Sequence, residues 1–138
     1  MIKTLKQNRP LVLQGGLAGL LPFAVSALAL QLGWAGTTPF LTYSVVILAF
    51  LSGVIWWHGL QKNDLPSIAA GLLTPALAWL LLFLSPGTAV GLLGAAFLLL
   101  WCWEMVFLRS TYSAGYRLLR TTLTFCVLLL HGWVWLIL

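Results

Sequence analysis

Five long apolar stretches follow one another along the chain, separated by short segments that are polar or contain proline and glycine. Each has the roughly 20 residues that an α-helix needs to cross about 30 Å of hydrocarbon. None shows the strict alternation of apolar and polar residues that is typical of a strand. The pattern predicts an all-α integral membrane bundle of five transmembrane helices in a single membrane domain, 1–138, with spans over about residues 11–33, 39–60, 66–84, 87–108 and 117–138.

The composition excludes a water-soluble domain. Of the 138 residues, 62% are hydrophobic and 7% are charged, and the mean hydropathy is +1.05. Soluble domains average about 25% charged residues. Because the chain lacks the polar side chains that would cover a surface in water, lipid is its expected solvent.

The basic residues lie at or near the ends of the apolar stretches, and the predicted order of spans puts all of them on one side of the membrane. They form no continuous solvated face, so the net charge of +5 does not indicate nucleic-acid binding. The positive-inside rule predicts a cytoplasmic N-terminus and a C-terminus outside, in the bacterial inner (cytoplasmic) membrane or, in a eukaryote, the mitochondrial inner membrane. The basic residues are Lys3, Lys6, Arg9, Lys62, Arg109, Arg117 and Arg120.

Glu104 is the only acidic residue within a predicted span. An ionisable side chain inside a membrane is costly and is by default a candidate functional site. Near the same depth, Arg120 belongs to a polar stripe on the last span, and we hypothesise an ion pair between Glu104 and Arg120 with His58 as a third member. Two roles stay open, a structural clasp between the last two spans and a proton or ligand site. The candidate intramembrane polar cluster is Glu104, Arg120, His58, Thr124 and His131.

Small residues and prolines within the spans indicate how the helices pack and bend. Glycine lets the backbone of a neighbouring helix approach closely, and proline removes one helical hydrogen bond. The predicted packing positions are Gly15, Gly19, Gly53, Gly87 and Gly91, and the predicted kinks lie at Pro22 and Pro75.

The chain contains no sequence motif of a known catalytic or cofactor site. His58 and His131 are predicted near opposite membrane faces, about 20 Å apart by helix rise, so they cannot ligate one haem iron. Cys102 and Cys126 are interpreted as small buried hydrophobic residues. We therefore expect no metal, no cofactor and no enzymatic activity.

Four ordered segments resemble the DUF3429 family: Gly19-Leu-Leu-Pro22-Phe23, Phe50-Leu-Ser-Gly53-Val-Ile-Trp56, Pro75-Ala-Leu-Ala-Trp79 and Tyr116-Arg-Leu-Leu-Arg120-Thr-Thr-Leu-Thr124. The resemblance covers nearly the whole chain and implies a five-span inner-membrane protein without an established activity. It also implies a glycine where Ser52 stands, a polar or basic residue where Ile55 stands, and an acidic residue near Glu104.

Two functions are compatible with these observations. The first is a non-enzymatic accessory or assembly subunit that packs against other membrane proteins, because close-packing glycines are abundant and catalytic motifs are lacking. The alternative is a small oligomeric transporter or a lipid- or quinone-binding protein that uses Glu104 and the polar stripe of the last span. The expected partners are membrane lipid and either further copies of the chain or a larger membrane complex.

Overall fold

A computed structural model describes residues 9–138 of the protein, and within that range every regular element is helical. Five helical segments are long and apolar enough to cross a membrane, which confirms the predicted five-helix, all-α fold. Lys3, Lys6 and the side chain of Arg9 lie outside the described part. The elements are α1 (Arg9–Ala18), α2 (Leu21–Gln31), α3 (Thr38–Lys62), α4 (Leu65–Leu80) followed by a 3₁₀ turn (Leu81–Phe83), α5 (Pro86–Phe107) and α6 (Ala114–Ile137).

The first membrane span consists of two helices, α1 and α2, which are separated by the non-helical residues Gly19 and Leu20. Pro22 has no amide N–H, so the carbonyl of Ala18, four residues earlier, cannot receive the usual helical hydrogen bond. The chain tightens there, with the Leu20 amide donating to the Leu17 carbonyl at 3.0 Å. The kink predicted at Pro22 is therefore a helix break in the turn that precedes the proline.

A tyrosine from α3 hydrogen-bonds the interrupted backbone. The Tyr43 hydroxyl donates to the Gly19 carbonyl oxygen at 2.9 Å, and the Tyr43 ring packs edge-on against Phe23 at a centroid distance of 4.7 Å. Because hydrocarbon offers no hydrogen-bond donor, a broken helix inside a membrane depends on neighbouring side chains to satisfy its backbone. Tyr43 thus stabilises the break and joins the first span to α3.

Replacing Tyr43 with phenylalanine tests this role. Tyr43→Phe keeps the ring but leaves the Gly19 carbonyl without its donor, so the free energy of unfolding should fall by about 1–2 kcal/mol. Equilibrium unfolding in mixed micelles measures the change. Tyr116→Phe is the matched control, because the Tyr116 hydroxyl has no hydrogen-bond partner within residues 9–138. Equal losses for the two variants would contradict the assignment.

Pro75 behaves differently from Pro22, because α4 runs without interruption from Leu65 to Leu80 through it. The kink predicted at Pro75 is accompanied by no helix break. Thr74, the residue before Pro75, adds a hydrogen bond within this turn of α4, because its hydroxyl donates to the Ala70 carbonyl at 2.7 Å.

Packing is arranged around α3 and α6. Helix α3 contacts α2, α4 and α5, whereas α6 contacts α1, α2 and α5. Asn63, in the left-handed conformation with φ 53°, ends α3. The Ser113 hydroxyl accepts from the Tyr116 amide, so α6 begins at Ala114, three residues before the predicted start. The buried apolar core comprises Phe23, Ala27, Phe40, Leu41, Leu48, Ile55, Ala78, Ala89, Val90, Leu93, Phe97, Leu100, Leu108, Val127 and Val134.

The five glycines predicted to mediate packing do not lie in the tight helix contacts. A Cβ added at Gly15, Gly53 or Gly87 would meet no atom within 4 Å, and one at Gly91 would approach only the Trp135 indole nitrogen, at 3.9 Å. At Gly19 the added atom would meet the carbonyl of the preceding turn. Spacing identifies small residues but not the direction in which they point, so it does not show whether such a glycine packs within the bundle.

The close approach lies instead between α3 and α4. A Cβ at Gly59 would lie 2.7 Å from the Ile68 amide nitrogen, and a Cβ at Gly71 would lie 2.6 Å from the Trp56 amide nitrogen. Each helix thus contributes one glycine at a point where the backbone of the other passes. This contact holds α4 against the outside of α3.

Candidate functional site

The candidate site is centred on a buried ion pair between the last two spans. The Arg120 Nη2 and Nε atoms lie 2.5 and 2.9 Å from Oε2 of Glu104. The two side chains are 6% and 1% exposed, respectively, so neither reaches solvent or lipid. The structure therefore brings together the two residues that we hypothesised to pair.

Helical phase explains why Glu104 is buried. Leu93, Phe97 and Leu100 precede it at core-facing positions of α5, separated by four and three residues, and Glu104 continues the same stripe. On α6, Arg120 occupies a similar stripe with Thr124 and later core residues. Because both stripes face inward, the acid and the base meet without leaving the core.

Two further side chains complete this cluster. Tyr112 donates to Oε1 of Glu104 at 3.5 Å, and Nη1 of Arg120 donates to the Thr124 hydroxyl at 3.5 Å. Tyr112 lies in the connection between α5 and α6, where burial and the neighbouring Glu104 carboxylate raise the pKa of its hydroxyl. Within the described residues, no buried side-chain nitrogen or oxygen lacks a hydrogen-bond partner.

His58 is not part of the cluster. Within residues 9–138 no hydrogen bond joins it to Glu104 or Arg120. The buried face of α3 at this level is formed by Ile55 and Gly59, and His58 is only half-buried beside them. The contact of His58 with Glu104 was predicted from their similar depth in the membrane. In the structure the side chain that contacts Glu104 is that of Tyr112 instead.

His131 forms a second, separate polar site. Its Nε2 lies 3.1 Å from the Ser44 hydroxyl and its Nδ1 lies 2.9 Å from the Val127 carbonyl. The rings of Phe23, Phe40 and Phe97 surround the imidazole at centroid distances of 5.7, 4.8 and 5.3 Å. At 11 residues from Arg120 along α6, this site lies about 16 Å from the ion pair.

Several members of these sites were not predictable from the sequence. Ser44 offered no signal beyond being a hydroxyl in an apolar span. Ser67 receives a bond from the Trp103 indole at 3.4 Å and donates to Asp64 at 2.5 Å, joining α4 and α5 near the same end of the bundle. Cys102 is exposed and Cys126 half-buried, so the interpretation of both as buried residues was wrong.

A cavity of about 150 Å³ adjoins the ion pair. Gly15 and Phe50 lie at its exposed end, whereas Arg120 and Thr124 lie at its buried end. Its remaining walls are apolar apart from the glycine backbone of the broken first span. They comprise Gly16, Gly19, Leu20, Phe23, Ile47, Leu51, Phe97, Leu123 and Val127.

A second depression, which we call the glycine groove, lies on the outside of α5 and α6. It has a volume of about 260 Å³. His131 contributes the only titratable side chain of its lining, and Trp135 lies beside it with 58% of its surface exposed. The groove is lined by Val90, Gly91, Gly94, Leu128, His131, Gly132 and Trp135.

These features define a small polytopic membrane protein whose last two spans are joined by a buried ion pair. The chain belongs to the DUF3429 family, described as proteins of unknown function, whose family model matches residues 8–136. No curated protein and no solved structure matches the sequence. The resemblance noted from the four ordered segments is confirmed by the family match.

Proposed function

We propose that this protein is a non-enzymatic accessory or assembly subunit that packs against other proteins of its membrane. The observation that carries the proposal is the glycine groove. Glycine in a helix costs about 1 kcal/mol relative to alanine, yet a Cβ at Gly132 would meet no atom of the described chain within 4 Å. Gly53 is equally open but stands apart on α3, whereas Gly91 and Gly132 line one groove, and contact with a helix from another protein explains two such glycines in one place.

The interior of the bundle supports the same proposal. Glu104 is committed to Arg120 and Tyr112, which leaves it poorly suited to exchange protons with a substrate. A buried pair of this kind gives a bundle specific helix neighbours, as a structural clasp would. On this interpretation the outer surface, rather than a catalytic centre, performs the function.

Filling the groove tests the accessory role. Gly91→Leu and Gly132→Leu should abolish co-purification of the partner in mild detergent, because the added side chains occupy the space for its helix. Gly53→Leu is the control, since Gly53 is also exposed with no atom near its added Cβ but lies on α3. A partner retained by the groove variants, or recovery of the chain only with further copies of itself, would contradict the proposal.

We further propose that the N-terminus lies in the cytoplasm and the C-terminus outside, in a bacterial inner membrane or its mitochondrial counterpart. Lys62 ends α3, whereas Arg109 and Arg117 flank the α5–α6 connection, so these cations lie at one end of the bundle. Alkaline phosphatase should be active when fused to the C-terminus and inactive when fused to the N-terminus. Activity of both fusions would contradict this orientation.

A further inference from the structure

We propose that the 150 Å³ cavity beside the ion pair binds the ring of a neutral, lipid-soluble carbonyl compound of the quinone class. In the proposed complex, Arg120 donates a hydrogen bond to one ring carbonyl. The ring contacts Phe23 and Phe97, and the apolar tail leaves past Phe50 into lipid. This binding site goes beyond the accessory role and does not depend on it.

The size of the cavity favours a ring. An apolar cavity of about 150 Å³ in another protein takes up benzene, so a volume of this size accommodates one six-membered ring. Phe23, Phe50 and Phe97 supply aromatic walls, against which a flat ring packs with offset or edge-on geometry. A long acyl chain could place only a few methylene groups in the space. Those groups could form no hydrogen bond with Arg120 or Thr124 at the buried end.

The charge balance at the buried end selects a neutral hydrogen-bond acceptor. A guanidinium has five N–H donors, and Arg120 uses three of them on Glu104 and Thr124. Each Arg120 nitrogen thus has one partner, and the second N–H groups of Nη1 and Nη2 make no further hydrogen bond within residues 9–138. Because Glu104 already neutralises Arg120, an added anion would be buried with an uncompensated charge, whereas a carbonyl oxygen would not.

Access to the cavity is from the side of the bundle. Gly15 lies on α1 about 9 Å from the start of that helix, and Phe50 lies about 18 Å from the end of α3. These two exposed residues therefore lie at depths within hydrocarbon, where an apolar ligand is concentrated. Gly15 carries no side chain that would close the exposed end of the cavity, whereas at Gly16 helix α1 packs closely against Leu123 of α6.

Photolabelling of the full chain in phosphatidylcholine nanodiscs tests the proposal. The probe is an azido derivative of decylubiquinone, and labelled peptides are identified by mass spectrometry. We expect labels on α1 near Gly15 and on α3 near Phe50. Unlabelled decylubiquinone should suppress labelling at least about tenfold more effectively than dodecylbenzene, which has a ring and tail but no carbonyl.

Two variants that reduce the cavity provide the protein control. Gly15→Phe and Leu51→Phe should each lower competable labelling by about tenfold or more. Gly87→Phe adds the same side chain at another open position and should leave labelling unchanged. Circular dichroism of each variant establishes that the helices are retained.

Each outcome decides the proposal. Labelling elsewhere, or labelling that decylubiquinone does not suppress, would overturn the site. Equal competition by dodecylbenzene would overturn carbonyl recognition by Arg120. If both cavity variants label like Gly87→Phe, the cavity is not the binding place, whatever the result of the co-purification experiment on the glycine groove.

Discussion

Replacing Glu104 with alanine should lower the free energy of unfolding by about 3–5 kcal/mol, the loss that follows when one partner of a buried ion pair is removed. The Arg120 side chain is 6% exposed and would keep its positive charge inside the bundle. Thr124 alone cannot neutralise that charge, and Tyr112 would lose its acceptor. We therefore expect the contact between α5 and α6 near this end to open first on unfolding.

Unfolding in mixed micelles, followed by circular dichroism, measures the effect of Glu104→Ala. Lys62→Ala is the control for loss of a charge, because Lys62 is exposed at the end of α3. The double variant Glu104→Met with Arg120→Met should recover most of the stability, since it removes both charges and keeps similar volume. The exchange Glu104→Arg with Arg120→Glu should also be more stable than either single change. Losses that simply add in both double variants would show that the two residues do not pair.

The membrane fold was predictable because it depends on features that the sequence shows directly. Lipid requires each crossing segment to satisfy its own backbone, so the length and apolarity of a stretch largely determine that it forms a helix. The short connections then leave few alternatives for the order of the spans. The break at Gly19 and Leu20 is consistent with Pro22, which has no amide to donate, but Pro75 lies in an unbroken helix, so a proline predicts a disturbance rather than a break.

The ion pair was predictable from two features of the sequence only, the charge of the residues and their depth in the membrane. Glu104 and Arg120 are charged residues in adjacent spans at similar depth, and leaving either one alone in lipid would be costly. Depth does not give the rotation of a helix, however, and that is why His58 was included and Tyr112 was not. Tyr112 lies in a polar connection, where nothing in the sequence shows that the chain folds back over Glu104.

The tight contact between α3 and α4 was not predictable, and the reason is again rotation. Gly53 and Gly59 are both glycines of α3, and the sequence makes Gly53 the more conspicuous because Ala49 precedes it by one turn. The structure reverses their importance, since only Gly59 faces the α4 backbone. In lipid the apolar pattern of a span does not distinguish its inner from its outer face.

The strongest test of that contact is Gly71→Ala, which should lower the free energy of unfolding by about 2–3 kcal/mol, as overpacking of a close contact does. The new Cβ would lie 2.6 and 2.7 Å from the amide nitrogen and Cα of Trp56. These are backbone atoms, so no side-chain rotation relieves the clash, and α4 must move away from α3.

Gly53→Ala is the matched control, and its expected effect has the opposite sign. Its added methyl group meets no atom within 4 Å, so the change should be neutral or stabilise the helix by up to about 1 kcal/mol. Unfolding in mixed micelles compares the two variants directly, and a disulfide-trapped cysteine pair across α3 and α4 would report their separation. If Gly71→Ala is as stable as Gly53→Ala, the two backbones do not pass each other at this glycine, and the outer position of α4 must be maintained by side chains alone.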